Sequence, residues 1–361
     1  VLHYEFRTYS IFPTAPLTVG GTQQATTSAP TPGANHVTIA AMNVERLFDT
    51  VNDPAIGDPV LTSVAFNGRL GKISQTIRNL LKTPDVVALE EVENLTAAEA
   101  LAMRINTDAV AAGQPNPGYS AFLVEGNDVG GIDVGFLTKP GITASVTQFG
   151  KTTPFINPCD GSSELLNDRP PLRLNGSATR GGSTLNFTVF VNHLRSLIEI
   201  ESEVSCGGST TGGRVRAKRA AQANFLAQLV QDELTANPAA KIVLVGDFNA
   251  FEVNDGYVDV INAIMGTPAP ATQVLTLTSD PAYPNMTNLV SLLPVAQRYS
   301  YVFDGNHQTI DHAILSSGAM TQFAGGGYVR VNADFNETLR GDFNRPERYS
   351  DHDPVYVALS A

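Results

Sequence analysis

The chain has 361 residues, enough for one large domain or two modest ones, and its 42% hydrophobic and 16% charged content excludes disorder over most of its length. Lys and Arg total 23 against 35 Asp and Glu, a net charge of −12. This is the reverse of the basic footprint that holds nucleic acid by neutralising phosphates, so a polyanionic partner has to be met locally or through a metal. No stretch approaches the roughly 18 apolar residues of a spanning helix, and a soluble chain is expected.

The first 35 residues divide into a β-like piece, Val1–Phe12, sized for the last strand of an upstream module, and a Thr, Pro, Gly and Ala stretch through Gly33 that reads as a linker or wrapped extended arm. The start at Val1 rather than Met predicts a processed N-terminus with no signal peptide left to read. Residues 36–361 read as one domain. Val37–Met42 is a strand, Lys72–Leu81 a helix with Ile73, Ile77, Leu80 and Leu81 on one face, and Val86–Leu89 a second strand after Pro84. Ala97–Ala112 reads as a helix, followed by strands Ala121–Val124, Val134–Thr138 and Ile142–Gln148. Residues 150–182 are expected as an irregular loop and Leu185–Val191 as a strand.

A Gly/Ser loop then leads into a helix at about Val215–Leu234, whose cluster Arg214, Arg216, Lys218 and Arg219 reads most simply as a solvated opening turn and a half, with phosphate binding the less favoured reading. Ile242–Val245 has no polar interruption and fits a strand buried on both faces. Tyr257–Ile264 is a short helix; Tyr299–Phe303, Thr309–Leu315 and Val355–Leu359 complete the strands. Strands and helices mix without strict alternation, which predicts an α/β fold of layered mixed sheets rather than a barrel or a dinucleotide-binding fold. Gly-Asp-Phe-Asn occurs at 246–249 and again at 341–344; only the first follows a buried strand, and the second is taken as an incidental loop. The only two cysteines, Cys159 and Cys206, lie in polar loops and fit a disulfide formed in an oxidising compartment, two free thiols being the alternative.

Chemistry concentrates where apolar strands end, because a rigid sheet holds such side chains toward a shared cleft. Six places qualify. Asn43 and Glu45 follow Val37–Met42; Glu90 and Glu91 follow Val86–Leu89; Asn192 and His193 follow Phe187–Val191. Asp247 and Asn249 follow Ile242–Val245, Asp311 and His312 open Ile310–Leu315, and Asp351-His352-Asp353 precede Val355–Leu359. Each alone reads as a cap, turn former or hydrogen-bonded structural residue. Together they place several carboxylates side by side, which costs several kcal/mol unless a cation compensates. Carboxylates and amides without thiolate are hard donors for Mg²⁺, Mn²⁺ or Ca²⁺. A hard cation, an Asp–His pair and a second His are the equipment for hydrolysing a phosphoester.

In this order, Asn43-Val44-Glu45, Ala88-Leu89-Glu90-Glu91-Val92-Glu93-Asn94, Asn192-His193-Leu194-Arg195-Ser196, Gly246-Asp247-Phe248-Asn249-Ala250, Ile310-Asp311-His312 and Ser350-Asp351-His352-Asp353-Pro354 resemble the successive motifs of the endonuclease/exonuclease/phosphatase superfamily. The resemblance spans about Val37–Leu359. Asn167-Asp168-Arg169-Pro170-Pro171-Leu172, Tyr301-Val302-Phe303-Asp304-Gly305 and Val331-Asn332-Ala333-Asp334 are similar to its bacterial secreted nuclease branch, in which an extra β module often precedes the catalytic domain. The resemblance implies a DNase I-like fold, a four-layer α/β/β/α sandwich of two packed mixed sheets.

It further implies Glu91 as principal metal ligand, with Asn43 and Glu45 beside it and Asp351 closing the site around Mg²⁺, with Mn²⁺ or Ca²⁺ as alternatives. Asp247 and Asn249 orient the scissile phosphate or water. His352, paired with Asp311, is the general base, and His193 stabilises the phosphoryl oxygens or protonates the leaving oxygen. Asp133 lies near an acidic or Tyr partner of the family. Two departures stand out: Arg195 where the branch commonly has Lys, which changes donor geometry, and Glu90 where Gln is frequent, which adds negative charge. The implied activity is secreted, metal-dependent phosphodiester hydrolysis of nucleic acid, DNA first and RNA second, most simply as an endonuclease. The same scaffold serves phosphomonoesterases and phospholipid or sphingomyelin hydrolases, and a catalytically silent binding protein is the third class. The lipid reading calls for an exposed apolar hairpin, which the sequence does not offer; the silent reading calls for a missing core residue, and none is missing.

Overall fold

Uninterrupted apolar strands need cover on both faces, and the fold supplies it with two face-to-face sheets and a helical layer outside each. The computed structural model describes residues 2–5, 8–11, 14–15, 25–279 and 281–361. Strands β1 (Leu2–Glu5) and β2 (Thr8–Ile11) pair antiparallel, so the segment expected as one strand is a hairpin of two. Residues 25–33 lie along the body, where the Thr27 amide donates to the Arg330 carbonyl and the Ala29 amide to that of Leu80. Strand β3 (His36–Leu47) leads to α1 (Ser63–Gln75), which ends in a π-helical turn at Thr76–Leu80. Next come β4 (Val86–Val92), α2 (Leu95–Ala111), β5 (Ser120–Leu123), β6 (Asp133–Thr138) and β7 (Ile142–Gln148). Short strands β8 (Pro154–Ile156) and β9 (Ser163–Leu165) precede the long antiparallel pair β10 (Leu172–Arg180) and β11 (Ser183–His193). Helix α3 (Thr211–Ala236), β12 (Ile242–Asp247), α4 (Val260–Met265), β13 (Thr287–Asn288), β14 (Tyr301–Phe303) and β15 (Asn306–Gln308) follow. The chain closes with β16 (Asp311–Leu315), α5 (Ser317–Met320), β17 (Phe323–Tyr328) and β18 (Val355–Ser360).

Two six-stranded sheets result, in the orders β17-β18-β3-β4-β6-β5 and β13-β16-β12-β11-β10-β7. Each carries one parallel pair at its centre, β3 with β4 and β11 with β12, and is otherwise antiparallel. Alternation divides the strands cleanly: Val37, Ile39 and Ala41 face the space between the sheets while Ala40, Met42 and Val44 face α1 and α2. In the other sheet Val243 and Val245 face inward and Ile242 and Leu244 meet α3 and α4. The layers are therefore helix, sheet, sheet, helix, the four-layer sandwich of the DNase I-like fold. Phe136, wholly buried between the sheets, is one of its anchors, and truncating such a ring costs about 3–5 kcal/mol. The three long helices begin on side-chain caps, with Thr62, Asn94 and Thr210 accepting from the amides of Ala65, Ala97 and Gly213.

Several expectations need correction. The stretch 150–182 is not irregular throughout, because β10 sits in the inner sheet with Leu172, Leu174 and Ala178 inward and Arg173 and Asn175 outward. Gly176 masks the pattern and is required there, since an added Cβ would lie 2.4 Å from the Phe187 ring on β11. Strand β17, Phe-Ala-Gly-Gly-Gly-Tyr, escapes for the same reason, its glycines erasing the alternation. Finally, the basic start of α3 is not a solvated face. Lys218 pairs with Asp168 at 2.9 Å, Arg216 donates to the Ile200 carbonyl at 2.7 Å, and Arg219 donates to that of Arg195, so three of the four cations are buried and fasten the loops on either side of His193. The first helix also begins earlier than Lys72, at its Thr62 cap. Cys159 and Cys206 form a disulfide that ties the loop before β9 to the one before α3. The second Gly-Asp-Phe-Asn lies in a loop whose Phe343 ring covers Gly68 of α1.

Candidate active site

Period-two alternation carries the core face of each central strand to its end. Asn43 continues Val37, Ile39 and Ala41; His193 continues Val189 and Val191; Asp247 continues Val243 and Val245; Asp311 precedes Ala313 and Leu315. All four therefore point between the sheets at one end of the sandwich. Glu91 would face the outer helices by the same rule. A bulge in β4, where the register against β6 shifts between Glu90 and Val92, puts Glu91 at φ +62° and re-aims its carboxylate to the inner face. Asn249, at φ +48°, and Glu45, at φ +49°, share this left-handed conformation, a concentration of strained backbone typical of functional sites.

The side chains converge. His193 Nε2 lies 3.8 Å from Glu91 Oε1 and 3.6 Å from Asp247 Oδ2. His352 Nδ1 and Asp311 Oδ2 are 2.8 Å apart, while its Nε2 faces Asp247 Oδ2 at 4.0 Å and Asp351 Oδ1 at 3.8 Å. Asp247 thus belongs to both groups, Glu91–His193–Asp247 and Asp247–Asp311–His352, in each of which one ligand atom per residue lies within 4.8 Å of the others. Asn43 directs its amide nitrogen to Glu91 at 3.1 Å and Asp247 at 3.3 Å, its oxygen accepting the Glu45 amide. Presenting that oxygen to a cation requires the amide to turn over. Asn249 donates its main-chain amide to Asp247 Oδ1 and its side-chain amide to the Leu194 carbonyl.

Burial pushes the Asp247 carboxyl up to about 7, with Asp311 adding to the rise and His352 opposing it. Burial also raises Glu90, reinforced by Asp311 and Asp247. The two imidazoles diverge. Burial, then Arg169 and His352, hold His193 well below the usual histidine range. At His352 burial works against the charge, but Asp311 and Asp247 outweigh it and hold the ring well above that range. The fully buried Glu90 has no hydrogen-bond partner at either carboxyl oxygen, and neither does Asn192 at Oδ1. Orphan acceptors beside a set of carboxylate oxygens fit a hard divalent cation; Glu91 and Asp247 belong to one group able to hold an ion, while Asp351 belongs to neither group.

Other sequence candidates are placed elsewhere. Glu45 pairs with Arg340 at 2.5 Å, and its carbonyl is bound by Arg69. Asp133 turns to the 125–128 loop, where burial pushes it up to about 8. His312 faces away from the centre, bonded to Asn288 and the Ala250 carbonyl, and Asp353 pairs with Arg330 and caps the amides of Val331 and Asn332. Two contributors went unassigned in the sequence although both lie in quoted motifs. Arg169 donates to the carbonyls of His193 at 3.2 Å and Leu194 at 3.0 Å while paired with Asp128 at 2.7 Å, and so fixes the turn that carries His193. Tyr301 packs its ring 4.7 Å from that of His352.

Residues 38–360 match the model of the Endonuclease/Exonuclease/phosphatase family. The chain belongs to that family. Its members use divalent metals, and the chain is accordingly a phosphoesterase whose acidic and imidazole groups are those able to hold one. No curated protein matches it by sequence. Among solved structures it is similar to truncated Caenorhabditis elegans TDP2, at 15% identity and TM-score 0.50 over 90% of this chain and 98% of that one. It is likewise similar to an endonuclease/exonuclease/phosphatase from Bacteroides vulgatus, at 12% identity and TM-score 0.50 over 90% and 98%. At such identities the likeness speaks for the fold alone.

Proposed function

We propose that this protein is a secreted nuclease that hydrolyses phosphodiester bonds of DNA, and secondarily RNA, by in-line attack of water. The observation that carries the reading is the Asp311–His352 pair and His193 facing one carboxylate cluster from two sides. Glu91, Asp247 and Asp351 would hold a divalent cation, and such an ion would neutralise the phosphoryl oxygens and so let an acidic protein hold a polyanion. Asp311 fixes Nδ1 of His352, leaving Nε2 to take the proton from water. His193, which Arg169 holds through its main chain, faces the same centre and is assigned to the phosphoryl or leaving oxygen.

Nucleic acid is favoured over lipid by the hairpin β14–β15 beside His352. It carries Tyr301 against the imidazole and a half-exposed Phe303, rings on which bases stack, while its tip, Asp304-Gly305-Asn306, is polar and unsuited to entering a bilayer. The Cys159–Cys206 disulfide supports an oxidising compartment. A substrate panel tests the reading: plasmid nicking in Mg²⁺ that EDTA abolishes, with no turnover of a phosphomonoester or of sphingomyelin, is expected. Turnover of either small substrate with plasmid left intact overturns it, and DNA bound but uncut in Mg²⁺, Mn²⁺ and Ca²⁺ makes the protein a silent binder.

A further inference from the structure

Tyr299 and Tyr328, at the catalytic end of the sandwich, have their hydroxyls engaged. That of Tyr299 donates to Asp334 at 2.5 Å and that of Tyr328 to the Asp311 carbonyl at 2.6 Å. Tyr301, half-buried beside them, differs. Its ring packs against the His352 imidazole with 4.7 Å between centroids and the planes tilted by 36°. The charged groups around its side chain are Asp351, His352, Asp247 and Glu45, and none of the described residues bonds its hydroxyl. A donor among acceptors is thus left free at the edge of the catalytic cluster. Its placement is fixed from both strands of the hairpin. The wholly buried Ser300 accepts the amides of Ile310 and Asp311 at its hydroxyl, at 3.3 and 3.2 Å, and the Asp353 amide at its carbonyl, at 2.7 Å. The residue before Tyr301 is therefore tied to the two segments that carry Asp311 and His352. On the other strand His307 stacks on Tyr299 at 4.0 Å and bonds Asp334 at 3.0 Å.

We propose that Tyr301 is a further catalytic residue, its hydroxyl donating to a non-bridging oxygen of the scissile phosphate while its ring holds the plane of the His352 imidazole. The assignment rests on the phosphodiester reading above. A phosphoryl group entering this centre meets carboxylates that repel its oxygens, and it gains from a donor that brings a proton without competing for them as a charge. A phenol is such a donor at neutral pH, carried on a stiff side chain. As water attacks, the phosphoryl oxygens gain negative charge and draw the hydroxyl more strongly than in the ground state. The contact therefore lowers the barrier rather than tightening substrate binding.

The test compares wild type, Tyr301→Phe and Tyr301→Leu at saturating Mg²⁺ on whichever substrate of the panel above wild type turns over, since all of them present phosphoryl oxygens. Tyr301→Phe keeps the ring and removes only the donor. It is expected to lower kcat roughly 10- to 100-fold with KM changed by less than about threefold, and Tyr301→Leu, which also frees the imidazole, to lower kcat further. Where the substrate is DNA, oligonucleotides with a single phosphorothioate of defined configuration give a readout that a purely structural role would not move. Sulfur accepts a hydrogen bond poorly, so the penalty for one of the two configurations is expected to shrink in Tyr301→Phe. A kcat loss below about tenfold in Tyr301→Phe, or the same sulfur penalties in both enzymes, overturns the assignment and leaves the nuclease reading standing. Turnover of a small phosphoester with plasmid left intact overturns the nuclease reading instead, and Tyr301→Phe on that substrate still decides the role of the hydroxyl. If wild type turns over no phosphoester, both fail together. Tyr301→Phe alone is decisive even if Tyr301→Leu does not fold.

Discussion

Replacing Asp311 with Asn separates the chemistry of the site from its stability. Asp311 is buried and bonds His352 Nδ1 at 2.8 Å, a charge-assisted contact of about 1.5–3 kcal/mol. At 1.36 kcal/mol per decade, losing it lowers kcat by roughly 10- to 150-fold if the Asn oxygen keeps the tautomer. If the amide nitrogen turns to Nδ1 instead, the imidazole carries its proton on Nε2, the wrong atom for a base, and the loss approaches about 10⁴-fold. Stability responds less than activity. Removing the Asp311 charge gives up its pairing with His352 but relieves its repulsion of Asp247 and Glu90, and the thermal midpoint in chelator should move little. The pH profile supplies a third readout. Asp311 raises the proton affinity of His352, so Asp311→Asn should move the acid limb of kcat to lower pH. Plasmid nicking at saturating Mg²⁺ across a pH series measures all of this except the midpoint. A variant within threefold of wild-type kcat, with its acid limb unmoved, would refute the assignment of Asp311 and His352.

Glu90→Gln should flatten the pH dependence of stability: the folded carboxyl is raised above its unfolded value of about 4.5, so the native state binds the extra proton and wild type loses stability as pH rises from there. Melting curves in chelator between about pH 5 and 8 check this, and parallel wild-type and variant slopes would count against it. Gly246→Ala should cost more than about 3 kcal/mol, seen as insoluble protein or a midpoint lowered by about 4 °C, because at φ +125° its Cβ would sit 2.2 Å from the Asn192 carbonyl. An unchanged midpoint contradicts the close approach of β11 and β12. Breaking the Cys159–Cys206 link, whose cysteines are 47 residues apart, should cost up to about 4 kcal/mol, near 5 °C, and a change below about 1 °C in Cys159→Ser/Cys206→Ser would show that the loop is held by other contacts.

Much of the site was readable because it obeys local rules. Asn43, His193, Asp247 and Asp311 sit at the ends of apolar runs with the parity of the inward-facing residues, so the sequence places them on the core face of strands that end together. The same rule fails at Glu91, whose orientation depends on a bulge that no alternation announces. It fails again at β10 and β17, where Gly176, packed on the Phe187 ring, and the three glycines Gly325–Gly327 erase the pattern. The cluster of Arg216, Lys218 and Arg219 was misread as solvated because four cations in six residues look like a surface, whereas loops distant in sequence bring them carboxylate and carbonyl acceptors.

By itself the sequence determined the sheet layers, the identity of the acids and imidazoles at the strand ends and the hard-donor chemistry they imply, since periodicity and side-chain type are local properties. Tertiary structure alone decided which of them meet. It made Asp247 the member shared by both groups, gave His193 and His352 opposite proton affinities, diverted Glu45 to Arg340 and Asp133 to its neighbouring loop, and brought Arg169 under His193. The reason is that burial and the charges of distant neighbours set a group's protonation and partners, and both are sums over space rather than along the chain.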